Sequence, residues 1–137
     1  MPLMNIFNVA GTGMSAQTVR LNTIASNMAN ADSVSSSVET TYRSRQPVFK
    51  TMLEGMQNNQ ASTGVEVIGI VESSEPLRQR YMPDHPMAND EGFVFFSNVN
   101  PVQEMANMMA ASRAYRNNVE VLNTSRQLLL NTLRIGQ

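Results

Sequence analysis

Along the first third of the chain, positions alternately four and three apart read Leu3, Phe7, Ala10, Met14, Gln17, Leu21, Ile24, Met28 and Ala31, eight of nine apolar. That spacing keeps one stripe of a helix turned towards a partner, as in a heptad seam. Between these positions lie Asn8, Thr12, Ser15, Thr18, Arg20, Asn22 and Thr23, uncharged except for the arginine. The pattern predicts a helical segment over residues 1–32. Gly11 and Gly13 interrupt it, each costing about 1 kcal/mol against alanine, so its first dozen residues are expected to be weakly helical alone.

The last third repeats the signal. Asn100 suits the N-cap, Pro101 the first helical position, and Gln103 the place from which a capping-box side chain reaches back. From there a second seam runs through Met105, Met108, Ser112, Tyr115, Val119, Leu122, Arg126, Leu129 and Leu133, seven of nine apolar. Gly136 supplies a stop, and Arg134 complements the carboxyl end of the helix dipole. At about 1.5 Å per residue the C-terminal helix, residues 100–137, would run roughly 50 Å and its N-terminal counterpart about 40 Å.

The middle changes period. Residues 33–64 are dominated by Ser, Thr, Asn and Gln, with SVSSS and QNNQAST flanking a more apolar island, PVFKTMLEGM. They read as a polar connector, loop or partly extended, and the island is too short for periodicity to choose helix or strand. Over residues 65–99, GVEVIGIV (starting at Gly64), PLRQRYM and GFVFFSNV read as three short strands, and MPDHPMANDEG between the last two as a turn-rich excursion. The expected fold class is α+β: long terminal helices paired as a coiled coil, with a small β-rich insert and a polar connector between them.

Composition narrows the functions. The chain is of one-domain length at 137 residues, but its apolar residues include 11 methionines and no tryptophan and gather near the ends, so a single central core is not expected. Net charge is −1, and Arg43, Arg45 and Lys50 form the only loose basic cluster. Nucleic-acid binding, which needs a clustered basic surface, gets little support. No apolar run approaches the ~20 residues of a membrane span, so no direct membrane insertion is expected. The start, MPLMNIFNVAGTGM, lacks the basic and apolar regions of a secretory signal peptide. Without cysteine there is neither a disulfide framework nor thiolate chemistry.

Candidate chemistry is sparse. His85 stands in PDHP near Asp90 and Glu91, but zinc requires three or four converging ligands and none recur at ligand spacing, so a turn-stabilising role is the better reading. Gly11-Thr12-Gly13 lacks the preceding strand and the GK[ST] of a phosphate loop. The pairs Asp90/Glu91 and Glu72/Glu75 fall on predicted turns without a cleft for hydrolysis. Asn123-Thr124-Ser125 matches a glycosylation sequon but lies inside a predicted helix. No catalytic residue, metal, cofactor or small-molecule substrate is expected. Methionines on the seams, Met14, Met28, Met105 and Met108 among them, suit an adaptable interface.

One polar stretch stands out. SNMANADS ends the N-terminal seam and places Asn27 and Asn30 three apart. Asn and Asp are ordinary helix terminators, which is the bland reading.

At NPVQEMANMMAASRAYRNNVEVLNTSRQLLLNTLRIGQ the sequence resembles the axial proteins of the bacterial flagellum, and SAQTVRLNTIASNMANADS resembles the other half of that family's signature. The spacing of Tyr81, Pro83, His85-Pro86, Gly92 and Asn98-Val99 resembles the proximal-rod branch rather than its hook or distal-rod relatives. The resemblance implies paired terminal helices as an inner layer, a β-rich part outside, and helical stacking into a periplasm-crossing drive shaft. It also implies export through the flagellar type III apparatus without a cleaved signal, and partnership with other copies and other rod proteins. On that basis Met14, Leu21, Ile24, Met28, Met105, Met108, Tyr115, Val119, Leu122, Leu129 and Leu133 are expected at the assembly interface. Asn27 and Asn30 become a joint where the N-terminal helix leaves the coiled coil and meets adjacent subunits. The rival is a soluble helical adaptor or secretion chaperone.

Overall fold

The computed structural model describes residues 2–54 and 62–135. Two long helices, α1 (Pro2–Ala29) and α2 (Pro101–Ile135), bracket five strands: β1 (Val34–Ser35), β2 (Arg45–Glu54), β3 (Ser62–Glu72), β4 (Arg78–Tyr81) and β5 (Phe93–Phe96). The α+β class and the packing of the terminal helices on each other follow the sequence pattern. Gly136 and most of the QNNQAST stretch lie outside the described residues.

The strands form two sheets. β1, β5 and β4 make a three-stranded antiparallel sheet in that order, and β2 and β3 a separate antiparallel ribbon. The undecided island is strand as far as Glu54, its last two residues lying outside the described ones, and the stretch read as connector contributes half of the ribbon. Pro47 is tolerated because each strand of a two-stranded ribbon has an edge that needs no ladder donor. Ile68 has no register partner, since Val48 pairs with Gly69 and Phe49 with Val67, which marks a bulge.

Local chemistry explains the ends of the elements. The N-cap reading of Asn100 holds: its Oδ1 accepts from the N–H groups of Val102 and Gln103 at 3.1 and 3.4 Å. The capping-box expectation does not, because Gln103 makes no return bond, and the next residue, Glu104, turns inward instead. α1 stops where the Asn30 N–H is shared between the carbonyls of Ser26 and Asn27. In the excursion between β4 and β5, Asn89 Oδ1 accepts from Glu91 N–H and Phe93 N–H, and His85 Nδ1 accepts from Met87 N–H at 3.1 Å. Gly92 adopts φ +81°, the left-handed region.

Burial is thin and dispersed. The fully covered apolar residues are Ala10, Ala16, Ile24, Ala31, Val94, Val99 and Ala111, mostly small, strung along the molecule rather than gathered in one core. The accessible surface is 9735 Å², where a compact monomer of 15.2 kDa is expected to expose about 7100 Å². Among the described residues no helix is long and apolar enough to cross a membrane.

Candidate functional site

Asn27 sits on the last full turn of α1 and is 1% exposed. Its Nδ2 donates to the Arg45 carbonyl at 2.8 Å and to Glu104 Oε2 at 3.2 Å. Its Oδ1 accepts from Arg45 N–H at 2.9 Å and from the Tyr42 hydroxyl at 3.0 Å. The carboxamide thus meets both backbone polar groups of Arg45, as the peptide of a third strand would, and seals the start of β2. One side chain ties together the end of α1, the first strand of the ribbon and the first turn of α2.

The surroundings brace this joint. The Arg45 guanidinium lies 5.2 Å from the centre of the Tyr42 ring and pairs with Glu72 at 3.1 Å. Ser44 N–H donates to Asn98 Oδ1 at 2.7 Å, and Asn98 Nδ2 donates to the Glu75 carbonyl, which links the ribbon to the segment preceding α2. Glu104 is 6% exposed. Its Oε2 accepts from the Asn27 amide within the first turn of α2. Asn30 acts differently: its Nδ2 donates to the Ser26 carbonyl at 2.8 Å, within its own helix. The structure separates the two asparagines into a three-element hub and a local terminator.

From this joint α1 and α2 run antiparallel. They pack tightly at Gly13, where a Cβ would lie 3.0 Å from Asn118 Nδ2. Gly13 is therefore a contact as well as a weak helix former. On α1, Ile24 is buried while Met14, Leu21 and Met28 are half-buried.

On α2 the best-covered residues stand one position before every second member of the apolar series. Glu104, Ala111 and Ser125 are buried and Asn118 lies against α1, each one residue before Met105, Ser112, Val119 and Arg126, of which Ser112 and Val119 are half-buried. Of the other members, Met108, Leu122 and Leu129 are half-buried, and Tyr115 is at the margin of exposure. Met105 and Leu133 are 47% and 66% exposed. Two contacts account for part of this: Asn118 stands opposite Gly13, and Glu104 accepts from Asn27. Apolar periodicity cannot register a seam built of Glu, Ala, Asn and Ser.

Outside this seam much apolar surface is uncovered: Met4, Ile6 and Val9 on α1, Ile68, Ile70 and Val71 on β3, Val102, Met109, Leu128 and Leu130 on α2. Among the described residues no group of three or more His, Cys, Asp or Glu side chains could hold a metal ion.

The comparisons agree with this arrangement of paired ends. A family model described as flagella basal body rod protein matches residues 7–35. A second, described as flagellar basal body rod FlgEFG protein C-terminal, matches residues 90–135. The chain is similar to the flagellar basal-body rod protein FlgC of Salmonella typhimurium, 45% identical over 137 residues covering 100% of both chains. It is likewise similar to that of Yersinia enterocolitica, 46% identical with 100% of both covered, and to that of Buchnera aphidicola subsp. Acyrthosiphon pisum, 42% identical over 139 aligned positions with 100% of both covered. With both helices matched by rod models and full-length identity to curated relatives, the chain belongs to the FlgC family of flagellar basal-body rod proteins.

Proposed function

We propose that this chain is a structural subunit of the proximal rod, polymerising helically with other copies and with other rod proteins into the shaft that carries torque across the periplasm. The observation that carries the reading is the uncovered surface. The molecule exposes about 2600 Å² more than a compact monomer of its mass would, and large apolar side chains populate the excess. Obligate interfaces are of this size and are more hydrophobic than transient ones. Family membership supports a structural rather than an enzymatic role. Delivery through the flagellar type III apparatus without a cleaved signal belongs to the same proposal, as does a place in the basal body.

Leu122 makes the reading testable. It is half-buried on α2, in the apolar series. Leu122→Glu is expected to leave synthesis of the chain intact and to abolish its incorporation into basal bodies, with loss of motility in a strain lacking the wild-type copy. Normal swimming by that strain would overturn the proposal, and recovery of the chain as a soluble complex with an exported substrate would favour the chaperone instead.

A further inference from the structure

His85 is the one histidine of the chain, and neither the Asn27 joint nor the uncovered apolar surface involves it. It stands half-buried in the excursion between β4 and β5. Three hydrogen bonds meet on this residue. Its N–H donates to the Met82 carbonyl at 3.1 Å, its own carbonyl accepts from Ala88 N–H at 2.9 Å, and its Nδ1 accepts from Met87 N–H at 3.1 Å. In the last of these a side-chain acceptor takes the N–H two residues on, as Asn and Asp side chains do in turns. Pro86, which lies between, has no N–H to offer. Among the described residues the Met87 N–H has no other partner.

An amide closes the other half of the excursion in the same way. Asn89 Oδ1 accepts from Glu91 N–H at 3.1 Å and from Phe93 N–H at 2.8 Å, while its backbone pairs with the Phe93 carbonyl and with Gly92 N–H. A carboxamide oxygen accepts at any pH, and an imidazole nitrogen does not. In the neutral ring one nitrogen carries the proton and the other accepts, whereas both donate in the imidazolium. Because Nδ1 accepts here, the neutral ring holds its proton on Nε2, and protonation turns Nδ1 into a donor facing the donor of Met87. Nothing nearby offsets that loss. The charged residues of the excursion are Asp84, Asp90 and Glu91, those of β4 are Arg78 and Arg80, and β1 and β5 have none. Among the described residues the one ion pair is Arg45–Glu72, so none of these carboxylates is paired with the ring.

We infer that His85 is a pH-sensitive clasp: protonation of its imidazole releases the Met87 N–H and loosens the Met82–Ala88 half of the excursion, while the half held by Asn89 and the sheet itself stay closed. The bond is present above the titration of the ring and is lost as pH falls through it. Histidine is the side chain whose ordinary titration lies nearest neutral pH, so the switch needs no extreme of acidity. Met82 and Met87, 38% and 40% exposed, are the large apolar side chains on the half that is released. Acidification thus alters the apolar surface that this end of the three-stranded sheet presents, and it does so without touching the helix pair.

Solvent exchange of the backbone amides tests this in the full-length chain by NMR. Each rate is divided by that of an unstructured peptide at the same pH, and the nitrogen shifts of the ring follow its titration and report its tautomer. Met87 is expected to lose about fivefold in protection on acidification, the worth of one hydrogen bond, with the midpoint of the ring itself. Val94, fully buried in β5, is expected to keep its protection, and the neutral ring to be the Nε2–H form. His85→Asn keeps an acceptor two residues before Met87 but does not titrate, so Met87 should stay protected on both sides of the midpoint; in His85→Ala it should be unprotected on both. Unchanged protection of Met87 in the wild-type chain, a neutral ring protonated on Nδ1, or protection retained in His85→Ala overturns the inference. An equal loss in His85→Asn overturns it in favour of the carboxylates of Asp84, Asp90 and Glu91, and a loss that extends to Val94 overturns it in favour of wider unfolding.

Discussion

Replacing Asn27 with alanine removes four hydrogen bonds at once from a side chain that is 1% exposed. The partners that lose a bond are the N–H and C=O of Arg45, the Glu104 carboxylate and the Tyr42 hydroxyl, which keeps its contact with Ser26 Oγ at 3.2 Å. A buried group left unpaired costs about 1–3 kcal/mol. Arg45 and Tyr42 are near enough to solvent for water to replace part of what is lost, so the expected total is about 3 kcal/mol rather than the full sum. Asn27→Asp sharpens the argument. It keeps the acceptor for Arg45 N–H and Tyr42 but sets a carboxylate against Glu104 Oε2, 3.2 Å away in the native pair, and against the Arg45 carbonyl. Adding Glu104→Gln restores a donor facing that carboxylate and should recover about 1–2 kcal/mol relative to the sum of the single changes. Urea unfolding, followed by circular dichroism, measures the wild-type chain and the four variants. A loss below about 0.5 kcal/mol for Asn27→Ala, the level of an ordinary surface change, would refute the joint. Additivity of Asn27→Asp and Glu104→Gln would refute the direct contact with α2.

Two further expectations concern glycines. Gly11→Ala meets nothing within 4 Å, whereas a Cβ at Gly13 presses on Asn118. The first should therefore stabilise the isolated chain by about 1 kcal/mol through helix propensity, and the second should give less or reverse the sign, which parallel urea titrations would show. Gly92→Ala forces a side chain into φ +81° with Tyr81 Cε2 only 2.8 Å away. It should cost about 2 kcal/mol and loosen the Tyr81–Phe93 edge-to-face pair, whose ring centres lie 5.4 Å apart, as read by aromatic chemical shifts.

The two helices were legible because their apolar periodicity is sustained over many turns and Asn100-Pro101 marks a start. Strand β3 and the short β4 and β5 were legible from β-branched and aromatic runs. β2 was not, since Pro47 and Lys50 break its alternation, and its pairing with β3 is a matter of register that no local pattern records. β1 has two residues and exists through pairing with Phe95 and Phe96, about sixty positions later. Asn27 could be singled out as an amide at the end of a seam. Its partners Tyr42, Arg45 and Glu104 could not, because they lie up to 77 residues away and no local pattern links them. The polar side of the α2 seam escaped for a related reason: Glu104 is buried through its hydrogen bond with Asn27 and Asn118 lies against α1 because of the glycine opposite, neither of which a count of apolar positions records.

The central claim is that the helix pair joins copies of this chain into the rod wall. A reconstruction of isolated basal bodies at side-chain detail tests it most directly. The account predicts α1–α2 pairs within the rod, with the apolar side chains exposed on the single chain, among them Ile6, Met105, Met109 and Leu133, covered by neighbouring subunits. Helix pairs whose Met105–Leu133 face is turned to solvent, or a rod wall without this chain, would contradict it.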